Sequence, residues 1–580
     1  MSWKWFGAGF LVGATTVYLL TQGQYAQWLS SQRDRLKQVS YSFVRDGPYI
    51  QESIPIGTSS GSAGLPPEEA PLATPGPSPE AEATSPGRPI SSCPELSSAF
   101  RWGWDVACNA WKVKDETCEL FNASKMSNNA SLFLEVATRS ADKSYHPNLA
   151  RLQMRLIEAI QENRPLRVLT MGPSNTVGNG CNKRSDMYWT SALQKLSKLE
   201  NSQLQLDVIK GARAATPFKF TWSSILREYE KDTTLDVILC DYAVTGIDVE
   251  NNRHQLFVMN AHVQNWKRPP AILFLETFTQ RVMISMEEVP WENLDACTYS
   301  NAMEEFDPFF PVLRSLSIPM LSYPDIACAL PHLGHRSSSQ NGIPFLFTYK
   351  GEGNHHYGCG VHFIQAQAIY LFLLQLLQLA CIKGFAATMQ AALASEAELK
   401  MQLKDQHFSL EDKCKMSLIT YLAYSGHMNF LAIVANNSKW SFGADRPGKF
   451  GWIANYVDEA GRTDSNLPGR VKAPRPASRY PQYDGLGPKE IVFIVKLNLG
   501  LVIMEFLSTY QNIGSIWCQV EDMSGKVVSE PLQLDGLWST KVSLANSATL
   551  NANTSRVRDA AVRCTCEEEK KFKLLSVSAC

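Results

Sequence analysis

Residues 167–181 read Arg-Val-Leu-Thr-Met-Gly-Pro-Ser-Asn-Thr-Val-Gly-Asn-Gly-Cys. A short apolar and β-branched run ends in a sharp turn that presents Ser174, and this pattern predicts a strand, a turn and then a helix. A serine at the carboxyl end of a parallel strand has its hydroxyl in the crevice above the sheet, where loop amides bind developing negative charge. The stretch therefore predicts an α/β domain that carries a candidate nucleophile.

The alternation of apolar strands and helices continues over residues 165–383. Further strand-like runs occupy residues 205–209, 235–240, 271–276 and 317–321, and helix-like stretches such as 186–200 and 221–231 lie between them. Continuous apolar strands that alternate with helices predict a parallel sheet with helices on both faces. The long apolar stretch at 362–382 is short for a membrane span, which favours a helix packed on the sheet over a helix that crosses a bilayer.

Three further segments flank this α/β domain. Residues 93–164 contain cysteines and tryptophans and predict a small lead-in that packs on the α/β domain, and residues 384–435 predict a helical connector from their composition. Residues 436–580 contain short alternating runs separated by turn residues, at 490–496, 500–506, 515–520, 526–532 and 539–544. This pattern is typical of an antiparallel β-sandwich.

The amino-terminal residues predict a membrane attachment. Residues 1–24 are mostly apolar and favour an uncleaved signal-anchor, with a cleaved signal peptide second and a mitochondrial presequence third. Residues 25–92 include a long stretch of Gly, Ser, Pro, Ala and Glu that cannot bury enough surface to fold, which predicts a disordered stalk. The expected protein is single-pass, in the Golgi, the endoplasmic reticulum or at the cell surface, with secretion as second choice.

Charge and cysteine content favour the same compartment. The formal net charge of −1 at pH 7 argues against a nucleic-acid partner. Fourteen cysteines without paired metal-ligand spacing favour disulfides over scattered buried thiols, and they predict no metal site. Two groups of cysteines near the ends of the folded region fit this interpretation: Cys93, Cys108, Cys118, Cys564, Cys566 and Cys580. Glycosylation sequons compatible with secretion are at Asn122, Asn129, Asn436 and Asn553.

Four motifs with chemical potential succeed one another in the α/β stretch. In chain order they are Gly172-Pro173-Ser174, Gly211, the loop 241–246 with Thr245, and Glu352-Gly353-Asn354-His355-His356. The first three come at the carboxyl ends of predicted strands, where an open α/β sheet binds its ligands. Asp241 either orients its own loop or pairs with Arg213.

This order of motifs resembles the SGNH (GDSL-type) hydrolases, a flavodoxin-like family of serine esterases and acyl-transferring enzymes. The resemblance covers residues 165–383 and implies a flavodoxin-like parallel sheet in which Ser174 is the nucleophile. It also implies an oxyanion hole formed by Ser174, Gly211 and Thr245, where Thr245 replaces the family's asparagine. Glu352, in place of the family's aspartate, would orient the base, which is His355 or His356.

The chemistry of ester cleavage requires these residue types. A serine hydroxyl is a weak nucleophile unless an imidazole takes its proton, and a carboxylate orients that imidazole. Loss of one oxyanion donor costs about 3 kcal/mol, so a short threonine hydroxyl predicts a weakened or rewired oxyanion hole. We therefore expect a cofactor-independent serine ester hydrolase or acyltransferase that acts on an acylated glycan or glycoprotein. The alternative is a catalytically degenerate glycan-binding or scaffold protein that has kept the fold.

The carboxyl-terminal region is rich in aromatic residues. Those at Trp440, Trp452, Phe506, Tyr510 and Trp538 have a spacing that loosely resembles jelly-roll accessory domains that bind carbohydrate. Exposed rings would stack on the apolar faces of sugars, whereas buried rings would fill the core of the sandwich. The core interpretation is favoured for most of them.

Overall fold

The structure of the protein is a computed structural model. It describes residues 93–96, 99, 129–138, 147–178, 181, 188–198, 204–213, 216, 218–242, 249–277, 309–329, 359–404, 407–417, 419–422, 434–437, 440–444, 450–455, 489–538, 543–552, 559–566 and 569–580. The predicted signal-anchor and stalk, residues 1–24 and 25–92, lie outside the described residues.

Eleven helices are formed by the described residues. They are α1 Ala130–Ala137, α2 Pro147–Gln161, α3 Ser174–Val177, α4 Trp189–Ser197, α5 Phe218–Tyr229, α6 Val249–Gln264, α7 Phe310–Ser315, α8 Tyr323–Ala329, α9 Cys359–Lys383, α10 Phe385–Lys404 and α11 Leu410–Ser417. All but the last two belong to the lead-in and α/β regions expected from the sequence.

The α/β domain is built on a five-stranded parallel sheet, which confirms the predicted fold class. Its strands are β1 Leu166–Met171, β2 Leu206–Lys210, β3 Val237–Cys240, β4 Ala271–Glu276 and β5 Met320–Ser322. The strand order is β2-β1-β3-β4-β5, and an order of this kind reverses direction between β1 and β3. Ligands of such sheets bind in the crevice outside the carboxyl ends of the strands at that point. The turn with Ser174 comes directly after β1, so it lies at this crevice.

The long apolar helix α9 is part of the protein core. By length and composition the stretch Val361–Lys383 is able to span a membrane, yet 83% of its most apolar window is buried inside the protein. The side chains of Ile364, Tyr370 and Leu374 all belong to the core that includes the sheet. This burial is what the sequence predicts for a helix packed on the sheet.

Charged side chains brace the amino end of the sheet. Asp236, just before β3, is fully buried and accepts hydrogen bonds from Arg164 Nη1 at 2.6 Å and from Arg268 Nη2 at 2.7 Å. Its Oδ2 also accepts from the backbone N–H of Arg167 at 2.9 Å. A buried carboxylate is tolerated when such partners satisfy it. The network therefore fixes β1 against β3 at the end opposite the Ser174 turn.

We expect Asp236→Asn to lower the free energy of unfolding by about 2–4 kcal/mol, because two arginines lose the buried carboxylate that receives them. Chemical denaturation measures this change. Asp207→Asn is the matched control, since Asp207 is an exposed carboxylate paired with Arg167 and should cost at most about 1 kcal/mol. Equal losses in the two variants would contradict this account of the network.

The carboxyl-terminal region forms antiparallel sheets, as predicted. Its strands are β6 Ile419–Leu422, β7 Val434–Asn437, β8 Trp440–Ala444, β9 Phe450–Ala454, β10 Glu490–Lys496, β11 Leu501–Ser508, β12 Ser515–Asp522, β13 Leu532–Asp535, β14 Leu544–Asn551, β15 Asp559–Thr565 and β16 Phe572–Ala579. One sheet has the order β13-β12-β15-β10-β7 and the other β14-β11-β16-β9-β8, with β6 also paired to β16. Strand β6 and the start of β7 come from within residues 384–435, so the helices α10 and α11 occupy only the first part of that segment.

Disulfides connect distant parts of the chain. The pairs among described residues are Cys93–Cys381, Cys181–Cys359, Cys414–Cys580 and Cys518–Cys564. Four such bonds are typical of extracellular or secretory-pathway proteins. The expectation of a disulfide is wrong for Cys566, which is a buried thiol that donates to the Lys570 carbonyl. Cys108 and Cys118 lie outside the described residues.

Candidate active site

The turn after β1 places Ser174 at the first position of the short helix α3, where its side chain is partly exposed. The backbone N–H of Val177 donates to the Pro173 carbonyl at 3.1 Å, and that of Gly178 donates to the Ser174 carbonyl at 3.1 Å. Gly178 ends the helix with a φ of 105°, a left-handed conformation that suits glycine. The hydroxyl of Ser174 is therefore held on a tight and well-defined turn.

Close packing against β3 requires glycine at position 172. A Cβ atom at this position would lie 1.8 Å from Thr176 Oγ1 and 2.5 Å from the Asp241 carbonyl oxygen. Both are far below van der Waals contact, and the second atom belongs to the backbone. The absence of a side chain thus lets the turn lie directly against the end of β3.

We expect Gly172→Ala to lower the free energy of unfolding by about 1–3 kcal/mol, because a methyl group has no room here. Gly525→Ala is the control: Gly525 has a positive φ, of 86°, but a Cβ there meets nothing within 4 Å. The control variant should lose only the smaller backbone penalty of about 1 kcal/mol. Urea denaturation compares the two, and an equal or smaller loss for Gly172→Ala would contradict the described packing.

A buried carboxyl group anchors the turn from below. Asp241 comes directly after β3 and is fully buried; its Oδ2 accepts a hydrogen bond from Thr176 Oγ1 at 2.8 Å, and its Oδ1 accepts one from Thr277 Oγ1 at 3.4 Å. The backbone N–H of Asp241 also donates to the Met171 carbonyl at 2.8 Å. Asp241 thus links the Ser174 turn to the ends of β3 and β4. The guanidinium of Arg213 instead contacts Glu228, at 2.9 Å.

The environment of Asp241 changes its acidity. Burial raises the pKa of this carboxyl from 3.8 to about 7, although the hydrogen bond from Thr176 acts in the opposite direction. The folded protein therefore retains this proton over a range in which the unfolded chain has lost it. Stability from this group is present below the unfolded value and is lost as the pH rises toward about 7.

We expect Asp241→Asn to flatten the pH dependence of the unfolding free energy between pH 3.8 and about 7, because the amide carries no proton to lose. Chemical denaturation across this range measures the slope. Thr176→Val is the control, since it removes the hydrogen bond but leaves the titrating carboxyl in place. An unchanged slope in Asp241→Asn would show that another group titrates.

The end of β2 supports the turn from the other side. The backbone N–H of Gly211 donates to the Thr170 carbonyl at 2.9 Å, and that of Arg213 donates to the Gly172 carbonyl at 2.9 Å. The Gly211 amide, one of the predicted oxyanion donors, thus takes part in the sheet ladder in this structure. To bind an oxyanion it would first have to release the Thr170 carbonyl.

The predicted acid and base lie outside the described residues. This holds for Glu352, His355, His356 and the third predicted oxyanion donor, Thr245. The chain becomes described again at Cys359, which starts α9 and forms a disulfide with Cys181. The structure therefore shows where the segment with both histidines ends, at a point bonded to the loop after Ser174.

Ring packing reinforces this junction. A Cβ on Gly178 would lie 2.1 Å from the ring of Tyr188, so the ring covers the end of α3. The same ring is 6.3 Å from that of His362, which is fully buried in the first turns of α9. The start of α9 and the end of the Ser174 turn thus pack through one tyrosine. His362 is therefore a histidine packed in the core.

Two of the four predicted glycosylation sites lie within the described residues. Asn129 is exposed and caps α1, where its side chain accepts from the Leu132 N–H at 2.9 Å, and Asn436 is in β7. Asn122 and Asn553 lie outside the described residues. Among the described residues, no group of three His, Cys, Asp or Glu side chains could hold a metal ion.

Sequence reasoning did not find Thr176 and Thr277 as partners of Asp241. Both threonines are far from Asp241 in the sequence, since Thr277 comes directly after β4 and Thr176 lies in α3. A polar residue just after each strand of a parallel sheet is the only signal in the sequence. That signal predicts a shared edge but not which side chains meet.

No protein-family model matches this chain, and no curated protein matches it. Among solved structures, a two-domain esterase (CEX) active on acetylated mannans aligns with 73% of this chain and 95% of its own, at 11% identity and a TM-score of 0.40. The psychrotrophic esterase EstA from Pseudoalteromonas sp. aligns with 35% of this chain and 94% of its own, at 12% identity and a TM-score of 0.24. Both TM-scores are too low to support an inference about function.

Proposed function

We propose that the protein is a serine esterase or acyltransferase that acts on an acylated glycan or glycoprotein in the secretory pathway. Ser174 is the nucleophile, His355 or His356 the base and Glu352 the residue that orients it. The observation that carries this proposal is the Cys181–Cys359 disulfide, because it bonds the loop after Ser174 to the end of the segment that contains both histidines.

Chain geometry limits how far the histidines are from the serine. His356 and His355 precede Cys359 by three and four residues, so their Cα atoms are at most about 11 Å and about 15 Å from that of Cys359. The Cα atoms of Cys359 and Cys181 are 4.9 Å apart. On the other side, the Cys181 N–H donates to the Gly178 carbonyl at 3.2 Å, and the Gly178 N–H donates to the Ser174 carbonyl. Such a linkage allows an imidazole to reach the Ser174 hydroxyl.

The chemistry proceeds in two steps. The imidazole removes the proton of the Ser174 hydroxyl as its oxygen attacks the ester carbonyl. The donors of Ser174 and Thr245 bind the resulting oxyanion, and the Gly211 amide joins them once it has released the Thr170 carbonyl. Collapse of this intermediate expels the sugar alkoxide, which takes the proton from the imidazolium, and leaves an acyl group on Ser174. Water or an acceptor hydroxyl then attacks the acyl group by the same route in reverse.

One observation favours the second candidate function, a glycan-binding or scaffold protein that has lost catalysis. The Gly211 amide donates to the Thr170 carbonyl and so is engaged where an active enzyme needs a donor for the oxyanion. Together with threonine in place of the asparagine at position 245, this leaves fewer donors for the transition state. Each missing donor lowers the rate by about 100-fold to about 1000-fold.

We expect a fluorophosphonate probe to label the intact protein at Ser174, because an imidazole-activated serine attacks phosphorus and loses fluoride. Labelling should disappear in Ser174→Ala and fall by about 1000-fold or more when the histidine that acts as base is replaced by alanine. Ser191→Ala is the control, since Ser191 is on α4 and its hydroxyl bonds to Lys210.

Mass spectrometry of the labelled peptide identifies the modified residue. Absence of labelling in the folded wild-type protein would support the non-catalytic alternative. Labelling that persists in Ser174→Ala would show that another residue is the nucleophile.

A further inference from the structure

The outer face of one sandwich sheet presents an aromatic side chain that the spacing of aromatics in the sequence did not single out. Trp440, Trp452 and Phe506 are buried in the core of the sandwich, as favoured from the sequence. Trp517 on β12 is 39% exposed, although its strand neighbours Ile516 and Cys518 are buried. Alternation along the strand therefore directs Trp517 outward while the adjacent residues fill the core.

Hydrogen-bonding side chains surround this tryptophan. In the strand register Trp517 is opposite Gln533 on β13 and opposite Thr565 on β15. Ser515 and Gln519 lie two residues away along β12, on the same face. Direct and same-face neighbours of this kind are within reach of one another on a sheet. The indole is therefore an apolar ring whose neighbours on the sheet are amide and hydroxyl side chains.

The outward face continues beyond the end of β13. Asp535 is opposite Ser515 and is exposed, and Leu537, two residues later, is 47% exposed. Leu537 forms a bridge with Thr509, which directly follows β11. Because β13 is the last strand on its side of the described sheet, this strip from Trp517 to Leu537 lies beside the sheet edge.

The charged groups of this strip already have partners within the protein. Asp535 Oδ1 accepts from Ser515 Oγ at 3.3 Å and from the Leu537 N–H at 2.9 Å. Arg563, two residues before Thr565 on the same face of β15, forms ion pairs with Glu490 and Glu521. A polyanion requires cationic groups that are available to it. The strip fits a neutral ligand that has an apolar face and many hydroxyl groups.

We propose that the strip from Trp517 to Leu537 binds a neutral oligosaccharide, with the Trp517 ring against the apolar face of one sugar and Gln533 at its hydroxyls. Exposed aromatic rings with polar groups beside them combine apolar contact area with oriented hydrogen bonds, and a pyranose offers the complementary surface. The site is separate from Ser174 and does not depend on its chemistry. It would hold a polymeric glycan on the same chain as the proposed esterase.

Affinity electrophoresis of the full chain through gels that contain soluble mannan, xylan or β-glucan tests this proposal. We expect at least one of these neutral polysaccharides to retard the wild-type protein, and Trp517→Ala to weaken that retardation about tenfold or more. Trp517→Phe should retain most of the binding, because it keeps an aromatic face. Leu393→Ala is the matched control, since Leu393 is also exposed but lies on α10.

The outcomes separate this site from the catalytic one. Ser174→Ala should bind polysaccharide as the wild type does, and Trp517→Ala should react with the fluorophosphonate as the wild type does. The proposal is overturned if no neutral polysaccharide retards the wild type, or if Trp517→Ala binds as well as Leu393→Ala. It is also overturned if only heparin causes retardation, or if size-exclusion chromatography shows that Trp517 instead mediates self-association.

Discussion

The Cys181–Cys359 disulfide joins the two parts of the chain on which the proposed chemistry depends. One partner lies a few residues beyond the Ser174 turn, and the other begins the helix that comes after the histidines. Their separation of 178 residues along the chain makes the encounter entropically costly for an unfolded chain. In the folded protein the Cα atoms of the two cysteines are 4.9 Å apart. Tyr188 packs between the same two segments.

A buried aspartate lies at each end of the parallel sheet, and the two have different partners. At the amino end Asp236 accepts hydrogen bonds from two arginines, which stabilise the buried carboxylate. At the carboxyl end Asp241 is buried with two threonine hydroxyls, and burial raises its pKa to about 7. A buried carboxyl that disfavours folding when ionised is retained where its hydrogen bonds position other groups. The position of Asp241 below the Ser174 turn is consistent with such a role.

The parallel sheet could be predicted from sequence because its strands are buried on both faces and read as unbroken apolar runs. The bounds of β4, Ala271–Glu276, are those expected from the run itself. The sandwich was harder to predict in detail. Strand β14 reads Leu-Ala-Asn-Ser-Ala-Thr-Leu-Asn, a composition of low strand propensity, and it forms because β11 pairs with it along its whole length. The hydrogen bond from the Gly211 amide to the Thr170 carbonyl could not be predicted from the sequence either. Only the register of β1 and β2 shows that their hydrogen bonding continues past the end of β2.

The central claim is that Ser174 and one of two histidines share the crevice above β1 and β3. A crystal structure of the intact protein after reaction with a phosphonate ester tests it most directly. The account predicts phosphorus bonded to Ser174 Oγ and a ring nitrogen of His355 or His356 within about 3 Å of that oxygen. A structure in which both imidazoles are far from Ser174, with the Cys181–Cys359 bond intact, would contradict it.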